Sequence, residues 1–189
     1  MSNKFTSRTP WRTKLEKDSN KHGPLPQIVL MTPRTAKFLG PGVLLIPRPR
    51  DVDAAIRRVK KGKLVTIGQI RAKLAADFNT LPFRARRRAS HHPDRTDAAA
   101  FRATSACPLC TGIFLRIAAE VAEEARRAGK KLITPYWRVI RDDGSLNEKF
   151  PGGPAAQAAR LKREGHRLET ARGKKPPKVK EFEMQLAIL

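Results

Sequence analysis

Pro135-Tyr136-Trp137-Arg138-Val139-Ile140-Arg141-Asp142-Asp143-Gly144-Ser145-Leu146 is the stretch on which the fold turns. An extended segment begins at Ile133 and runs through its first half. Asp142-Asp143-Gly144-Ser145 is a strong turn signal, because Asp side chains bond their own backbone and Gly accepts positive φ. Phe150-Pro151-Gly152-Gly153 follows, and Pro154 opens a helix at a position where a missing N–H costs nothing. Gly165 closes that helix, inside Glu164-Gly165-His166-Arg167-Leu168.

Upstream of this stretch, helix signals recur. Pro108 fits the first turn of a long helix in which Ile113, Phe114, Ile117 and Val121 share one face, and Gly129 terminates it. Thr66-Ile67-Gly68-Gln69 is a capping box, with Thr66 bonding forward and Gln69 back. Ile70 and Leu74 give its helix a buried stripe. Asp51 reads as the N-cap of a shorter helix carrying Val52, Ala55, Ile56 and Val59, and Gly62 as its C′ residue. Val43-Leu44-Leu45-Ile46 is a short apolar patch before it. A short helix, a turn, a capped helix and a longer helix make the layout of a helix-turn-helix unit. The predicted class is α+β, centred on a helix-turn-helix of winged-helix type.

The remaining segments differ in composition. Residues 1–42 are basic, broken by Pro10, Pro24, Pro26 and Pro33, and predict a flexible arm with Trp11 as a docking aromatic. The predicted domain spans 43–170. Within it, 79–106 is an Arg-rich inserted loop containing Arg84, Arg86, Arg87, Arg88 and His91-His92-Pro93. Residues 171–189 form an extension in which Val179–Met184 alternates like a strand.

Forty Lys and Arg against 17 Asp and Glu leave a net charge of +23. That is the electrostatic footprint of a nucleic-acid binder, and it costs self-repulsion unless a polyanion neutralises it. No apolar run approaches the ~18 residues of a membrane-spanning helix, so no membrane partner is expected. The N-terminus has no apolar signal core, which predicts a cytoplasmic chain, nucleoid-associated in a bacterium. Two cysteines three residues apart, Cys107 and Cys110, cannot staple a fold.

The motifs taken together resemble the C-terminal DNA-binding domain of the O6-alkylguanine-DNA alkyltransferases. Lys61-Gly62-Lys63-Leu64-Val65-Thr66, Gln69-Ile70, Arg138-Val139, Asp143-Gly144, Gly152-Gly153 and Glu164-Gly165-His166-Arg167-Leu168 match in order over about residues 50 to 170. In that family a Pro-Cys-His-Arg-Val motif supplies the Cys that takes the alkyl group from a flipped-out guanine. Here Tyr136 stands for the Cys and Trp137 for the His, and a phenol and an indole do not replace a thiolate and its base. Ile67 stands where the family has a Tyr, Leu109 where it wedges an Arg into the base stack, and Ala128 where it has an Asn. The resemblance implies a scaffold like the alkyltransferase-like proteins: it binds double-stranded DNA, flips and senses damaged bases without alkyl transfer, and works with repair proteins. It assigns a base pocket to Tyr136, Trp137, Phe150, Gly152 and Gly153. It assigns DNA contacts to Thr66, Gln69, Leu109, Thr111, Gly112, Arg116 and Arg138.

Two other functions stay open. A DNA glycosylase on the same scaffold needs a water-activating carboxylate or an amine, and Asp142, Asp143, Glu148, Lys149 and Glu164 are the candidates. An architectural or regulatory DNA binder results if Tyr136 and Trp137 fill the space a base would enter. Gly112 either permits close approach to DNA or packs against a neighbouring helix. His91, His92, Cys107 and Cys110 supply zinc-ligand types, but the Cys-x-x-Cys occurs once and holds Pro108. No metal or cofactor is therefore expected.

Overall fold

The computed structural model describes residues 9–90, 101–169, 173 and 175–189. In chain order these hold α1 (Trp11–Leu15), a small hairpin of β1 (Ser19–Asn20) and β2 (Gly23–Pro24), then β3 (Gln27–Leu30), α2 (Pro33–Leu39) and β4 (Val43–Ile46). There follow α3 (Pro49–Arg57), β5 (Val65–Thr66), α4 (Ile67–Asn79), α5 (Phe83–Arg88), β6 (Ser105–Ala106) and α6 (Pro108–Arg127). A 3-10 turn at Tyr136–Arg138, β7 (Val139–Ile140), α7 (Gly153–Arg163) and a second 3-10 turn at Phe182–Gln185 complete the elements. The class is α+β.

The main core lies where α3, α4 and α6 meet the sheet β3-β4-β6. β3 runs antiparallel to β4, from Gln27 opposite Ile46 to Leu30 opposite Val43, and β6 joins parallel on the far side of β4. A second, smaller core gathers Leu64, Ile140, Leu146, Leu161 and Val179, and Trp137 packs against both. The parallel pair β5–β7 sets Val65 beside Val139 and Thr66 beside Ile140. It thereby brings the Tyr136-Trp137 turn next to the start of α4.

Local chemistry explains the helix starts. The Thr66 hydroxyl accepts from the Gln69 N–H at 3.1 Å, and the Gln69 side chain accepts from the Thr66 N–H at 2.9 Å, the reciprocal capping box of the sequence. α3 starts earlier than predicted. Pro49 occupies its first turn, Arg48 is the N-cap, and Asp51 sits at N3, where it accepts from the Arg48 N–H at 3.2 Å. α3 also ends at Arg57, so Gly62 belongs to the following turn. The stripe predicted for α6 holds in part: Ile117 is buried and Phe114 packs on the core. Thr111, Leu115, Ala118, Ala119 and Ala122 face the core, while Ile113 is half exposed. The alanines carry too little apolar weight to mark that face in the sequence, yet small side chains let α3 approach closely.

Three boundary expectations change. The arm predicted over 1–42 is built into the fold across its described residues: Ile28 is buried in the sheet, and α1 packs on α6. The 79–106 segment is not simply a surface loop. α5 lies within it, Phe101 is buried edge-on against Phe83, and Asn79 clamps Ala103 through both its N–H and its carbonyl. The C-terminal extension forms isolated bridges rather than a strand. Leu168 pairs with Val179, and Leu64 with Leu186. The Leu64 N–H donates to Gln185 and its carbonyl accepts from Ala187, at 2.9 and 2.7 Å. No helix among the described residues is long and apolar enough to cross a membrane.

Candidate nucleic-acid interface

The residues singled out in the sequence fall into two groups, at opposite ends of α6. The first surrounds Tyr136. Pro135 turns the chain so that the Tyr136 ring enters the core, where it is 1% exposed. Phe150 and Trp137 meet it edge-on, with ring centroids 5.2 and 5.6 Å away. Its hydroxyl donates to Glu123 at 3.0 Å, and the same carboxylate takes the Arg160 guanidinium and, at 2.9 Å, Arg126. Burial pushes the phenol pKa upward; Arg160 opposes this and Glu123 adds to it. Tyr136 is a protonated hydrogen-bond donor, with no nucleophilic character at neutral pH.

Trp137 and Arg138 converge on Glu164. The indole N–H donates to it at 2.8 Å, and the Arg138 fork reaches it at 2.9 and 2.8 Å. Arg138 also donates to the Val59 carbonyl at 2.6 Å, and the Gly62 N–H reaches Glu164 at 3.2 Å. The Arg138 and Glu164 side chains are only 13% and 8% exposed. Burial pushes the Glu164 pKa up, but the bonds from Arg138, Trp137 and Gly62 outweigh it and hold the carboxyl low. Arg138 is therefore an internal clamp and not the DNA contact expected of it.

The residues expected to line a base pocket are therefore packed among themselves. Tyr136 and Phe150 are part of the core, while Gly152 and Gly153 serve the backbone. Both adopt positive φ at the start of α7, and a Cβ on Gly152 would lie 2.6 Å from that of Ala156. Gln157, not singled out from the sequence, fixes the turn from behind. Its amide donates to the Trp137 and Val139 carbonyls at 3.0 and 2.8 Å and accepts from the Asn147 N–H. A lone Gln in an Ala-rich helix gave no signal of that role. Trp137 borders a groove of about 500 Å³ with Lys61, Arg126, Arg160 and Arg163, and the Arg160 guanidinium lies 4.6 Å from its ring centre.

The four carboxylates among the glycosylase candidates are already paired, and the fifth candidate, Lys149, lines the groove beside Leu109. Asp142 accepts from the Gly68 N–H at 2.6 Å. Asp143 accepts from the Ser145 hydroxyl and N–H at 2.6 and 3.1 Å, and the Ser145 hydroxyl bond leads in lowering its pKa to about 2. Glu148 pairs with Arg141 at 2.9 Å. Asp143, held at about 2, is not a proton donor near neutrality.

The second group lies on the first two turns of α6. Leu109 is 61% and Ile113 50% exposed, and a Cβ on Gly112 between them would meet nothing within 4 Å. They line a groove of about 460 Å³ with Trp11, Lys14, Arg116 and Lys149. Lys14 sits 4.4 Å from the Trp11 ring centre, and Arg116 3.8 Å from Glu120. Of the other expected DNA contacts, Thr111 is buried, Thr66 caps α4, and Gln69 also donates to the Ala187 carbonyl at 3.2 Å. These three are structural. Sequence reasoning missed Ile113, Lys14 and Lys149 as members of this face. Their clustering needs α1 and the 146–150 loop to converge on α6, which no local pattern encodes. His91 and His92 lie outside the described residues; Cys107 and Cys110 are free thiols at the start of α6.

No protein-family profile, curated protein or solved structure matches the chain.

Proposed function

We propose that this chain binds duplex DNA through the first two turns of α6, as an architectural or regulatory protein on an alkyltransferase-type, winged-helix-like scaffold whose base pocket has been filled. The observation that carries the reading is the pair of exposed apolar residues, Leu109 and Ile113, spaced by Gly112 and set in a groove with Lys14, Arg116 and Lys149. Protein packing does not demand a glycine there, because the space beyond Gly112 is open. Close approach of a backbone does. Apolar side chains at a groove-facing helix start contact thymine methyls or wedge between base steps, while surrounding cations take the phosphates. The +23 charge supplies the sequence-independent attraction.

Lesion sensing, as in the alkyltransferase-like proteins, has one supporting observation: Trp137 lines a basic groove. That groove includes Arg126, roughly 25 Å from Leu109 along α6 at ~1.5 Å rise per residue. A single flipped nucleotide does not span that distance, so the architectural reading stands ahead. A cytoplasmic, DNA-associated location follows from either.

The test is a salt titration of binding to plain and lesion-bearing duplexes, with base release and protein mass followed together. Neutralising about 6–10 phosphates makes affinity fall by ~10³–10⁵ between 50 and 200 mM salt. Plain and lesion duplexes bind alike, no base is released, and no methyl group moves from O6-methylguanine to the protein. Affinity that stays flat with salt removes the DNA-binding reading. A strong preference for one lesion replaces the architectural reading with the sensing one.

A further inference from the structure

Cys107 and Cys110 take no part in the DNA reading, yet their setting is built. β6 delivers the chain into Cys107, which is the N-cap of α6, and Cys110 follows in the first turn of that helix. The Cys107 backbone is held at both ends: its N–H donates to the Leu45 carbonyl at 2.7 Å and its carbonyl accepts from the Thr111 N–H at 2.9 Å. Arg71 donates to the adjacent Ala106 carbonyl at 2.7 Å, which places a guanidinium beside the sulfur. The Cys110 thiol donates to the Cys107 sulfur; burial opposes ionisation of Cys107, and the backbone N–H groups of Cys110 and Leu109, with Arg71, favour it. The balance lowers the Cys107 pKa to about 6 and leaves the donor, Cys110, pushed up and protonated. Cys107 is thus the sulfur that ionises first, with Cys110 three residues on in the first turn as its thiol neighbour.

Exposure selects the reagent. Cys107 is buried and Cys110 half-buried. A bulky disulfide such as oxidised glutathione needs in-line access to the attacking sulfur. A molecule the size of hydrogen peroxide does not face that restriction.

We propose that Cys107 and Cys110 form a peroxide-reactive dithiol that closes to an intramolecular disulfide. The Cys107 thiolate attacks one oxygen of the peroxide, the O–O bond breaks, and Cys107 becomes a sulfenic acid as hydroxide departs and takes a proton to become water. Cys110 then loses its proton and attacks the Cys107 sulfur; the S–O bond breaks and a second water leaves. Two thiols and one peroxide give one disulfide and two waters, the sulfurs being oxidised and the peroxide reduced. Cys107 is the non-helical N-cap (φ −57°, ψ 123°) three residues before Cys110, and closing the disulfide brings their Cβ atoms to ~3.5–4.5 Å.

The experiment treats the reduced full chain with hydrogen peroxide, then reads intact mass without reductant and counts titratable thiols. The wild type loses two hydrogens and both thiols, stays monomeric, and recovers with dithiothreitol. Its rate rises with pH around 6 instead of the ~8.5 of an ordinary thiol. Oxidised glutathione reacts far more slowly than peroxide at matched concentration. Cys110→Ser stops at a sulfenic acid that dimedone traps on Cys107. Cys107→Ser keeps a favoured N-cap residue, so it folds; it reacts no faster than a cysteine in a short peptide. The proposal is overturned if both thiols survive peroxide that oxidises free cysteine, if the disulfide forms between chains, or if wild-type Cys107 proceeds to sulfinic acid with Cys110 untouched. Loss of peroxide reactivity on adding zinc, with one metal bound per chain, would likewise overturn it in favour of a metal site.

Discussion

The two ends of α6 treat their side chains in opposite ways. Toward its C-terminus, Glu123 gathers Tyr136, Arg126 and Arg160, and nearby Glu164 gathers Arg138 and Trp137. At its N-terminus, Leu109 and Ile113 stand in solvent with the space over Gly112 empty. Leaving a buried donor or acceptor without a partner costs ~1–3 kcal/mol, so the first region is fixed by its own pairing. The second obtains nothing from the fold for exposing two large apolar side chains. The difference teaches where a partner is to be sought: at the end that stability does not explain.

The largest effect to be measured on this contrast is that of Tyr136→Ala. Removing a buried aromatic costs about 3–5 kcal/mol, and it strips a donor from Glu123. Denaturant unfolding should show that full loss, with plain and lesion duplexes weakened together in proportion to the folded fraction. A variant that stays stable but loses lesion preference would break the comparison, because Tyr136 would then be facing a ligand.

Glu164→Gln comes next. It leaves Arg138 nearly buried without its counter-charge, and breaking such a pair costs about 3 kcal/mol. The pH dependence carries a sign that checks the same point. The Glu164 carboxyl is held below its ordinary 4.5 in the folded chain. Its contribution is therefore complete above pH 4.5 and is lost as pH falls through the lower folded value. Unfolding curves from pH 7 to 3 should steepen below 4.5 in the wild type and flatten there in the variant.

Leu109→Asp tests the other end. An exposed substitution of this kind changes stability within about 0.5 kcal/mol. A carboxylate facing the DNA backbone should lower duplex affinity by more than tenfold, which is about 1.4 kcal/mol. Unchanged affinity in a titration would move the interface away from α6. Smallest is Gly112→Ala, which should raise stability by ~0.5–1 kcal/mol through helix propensity and weaken binding slightly by holding the helix off its partner. Equal or better binding would show that close approach is not what the glycine provides.

How much of this was legible depended on the range of the interaction. Thr66 and Gln69 bond across three residues, so spelling and structure coincide. Pro108 and Gly129 likewise mark α6 through local backbone chemistry; Gly129 has φ of +77°. The strand Gln27–Leu30 was hidden because a basic, proline-broken neighbourhood suggests a loose arm, while its partner Val43–Ile46 supplies the order from outside the window. Arg138 was assigned to DNA by the resemblance, which carries no information about its partner within the fold. Its real partner, Glu164, was read as a motif residue and a glycosylase candidate, because nothing local ties it to a residue 26 positions away. Leu109 was placed by the resemblance and Ile113 by periodicity, and the second held at Ile117 but failed at Ile113, because alanines took much of the buried face.

The bonds that Leu64 makes with Gln185 and Ala187 have a bearing on biosynthesis. A chain emerging in order exposes β5 and the cap of α4 long before their last partners exist. Until Ala187 has been made, the Leu64 backbone is bare on one side and the Gln69 amide has no carbonyl to meet. The stretch from Leu64 to Ile70 is then apolar, edge-like and surrounded by cationic chain. Nascent polypeptide of this kind is a natural client for a chaperone, and trimming the last few residues should show first as poor yield of soluble protein, ahead of any change in what the folded molecules bind.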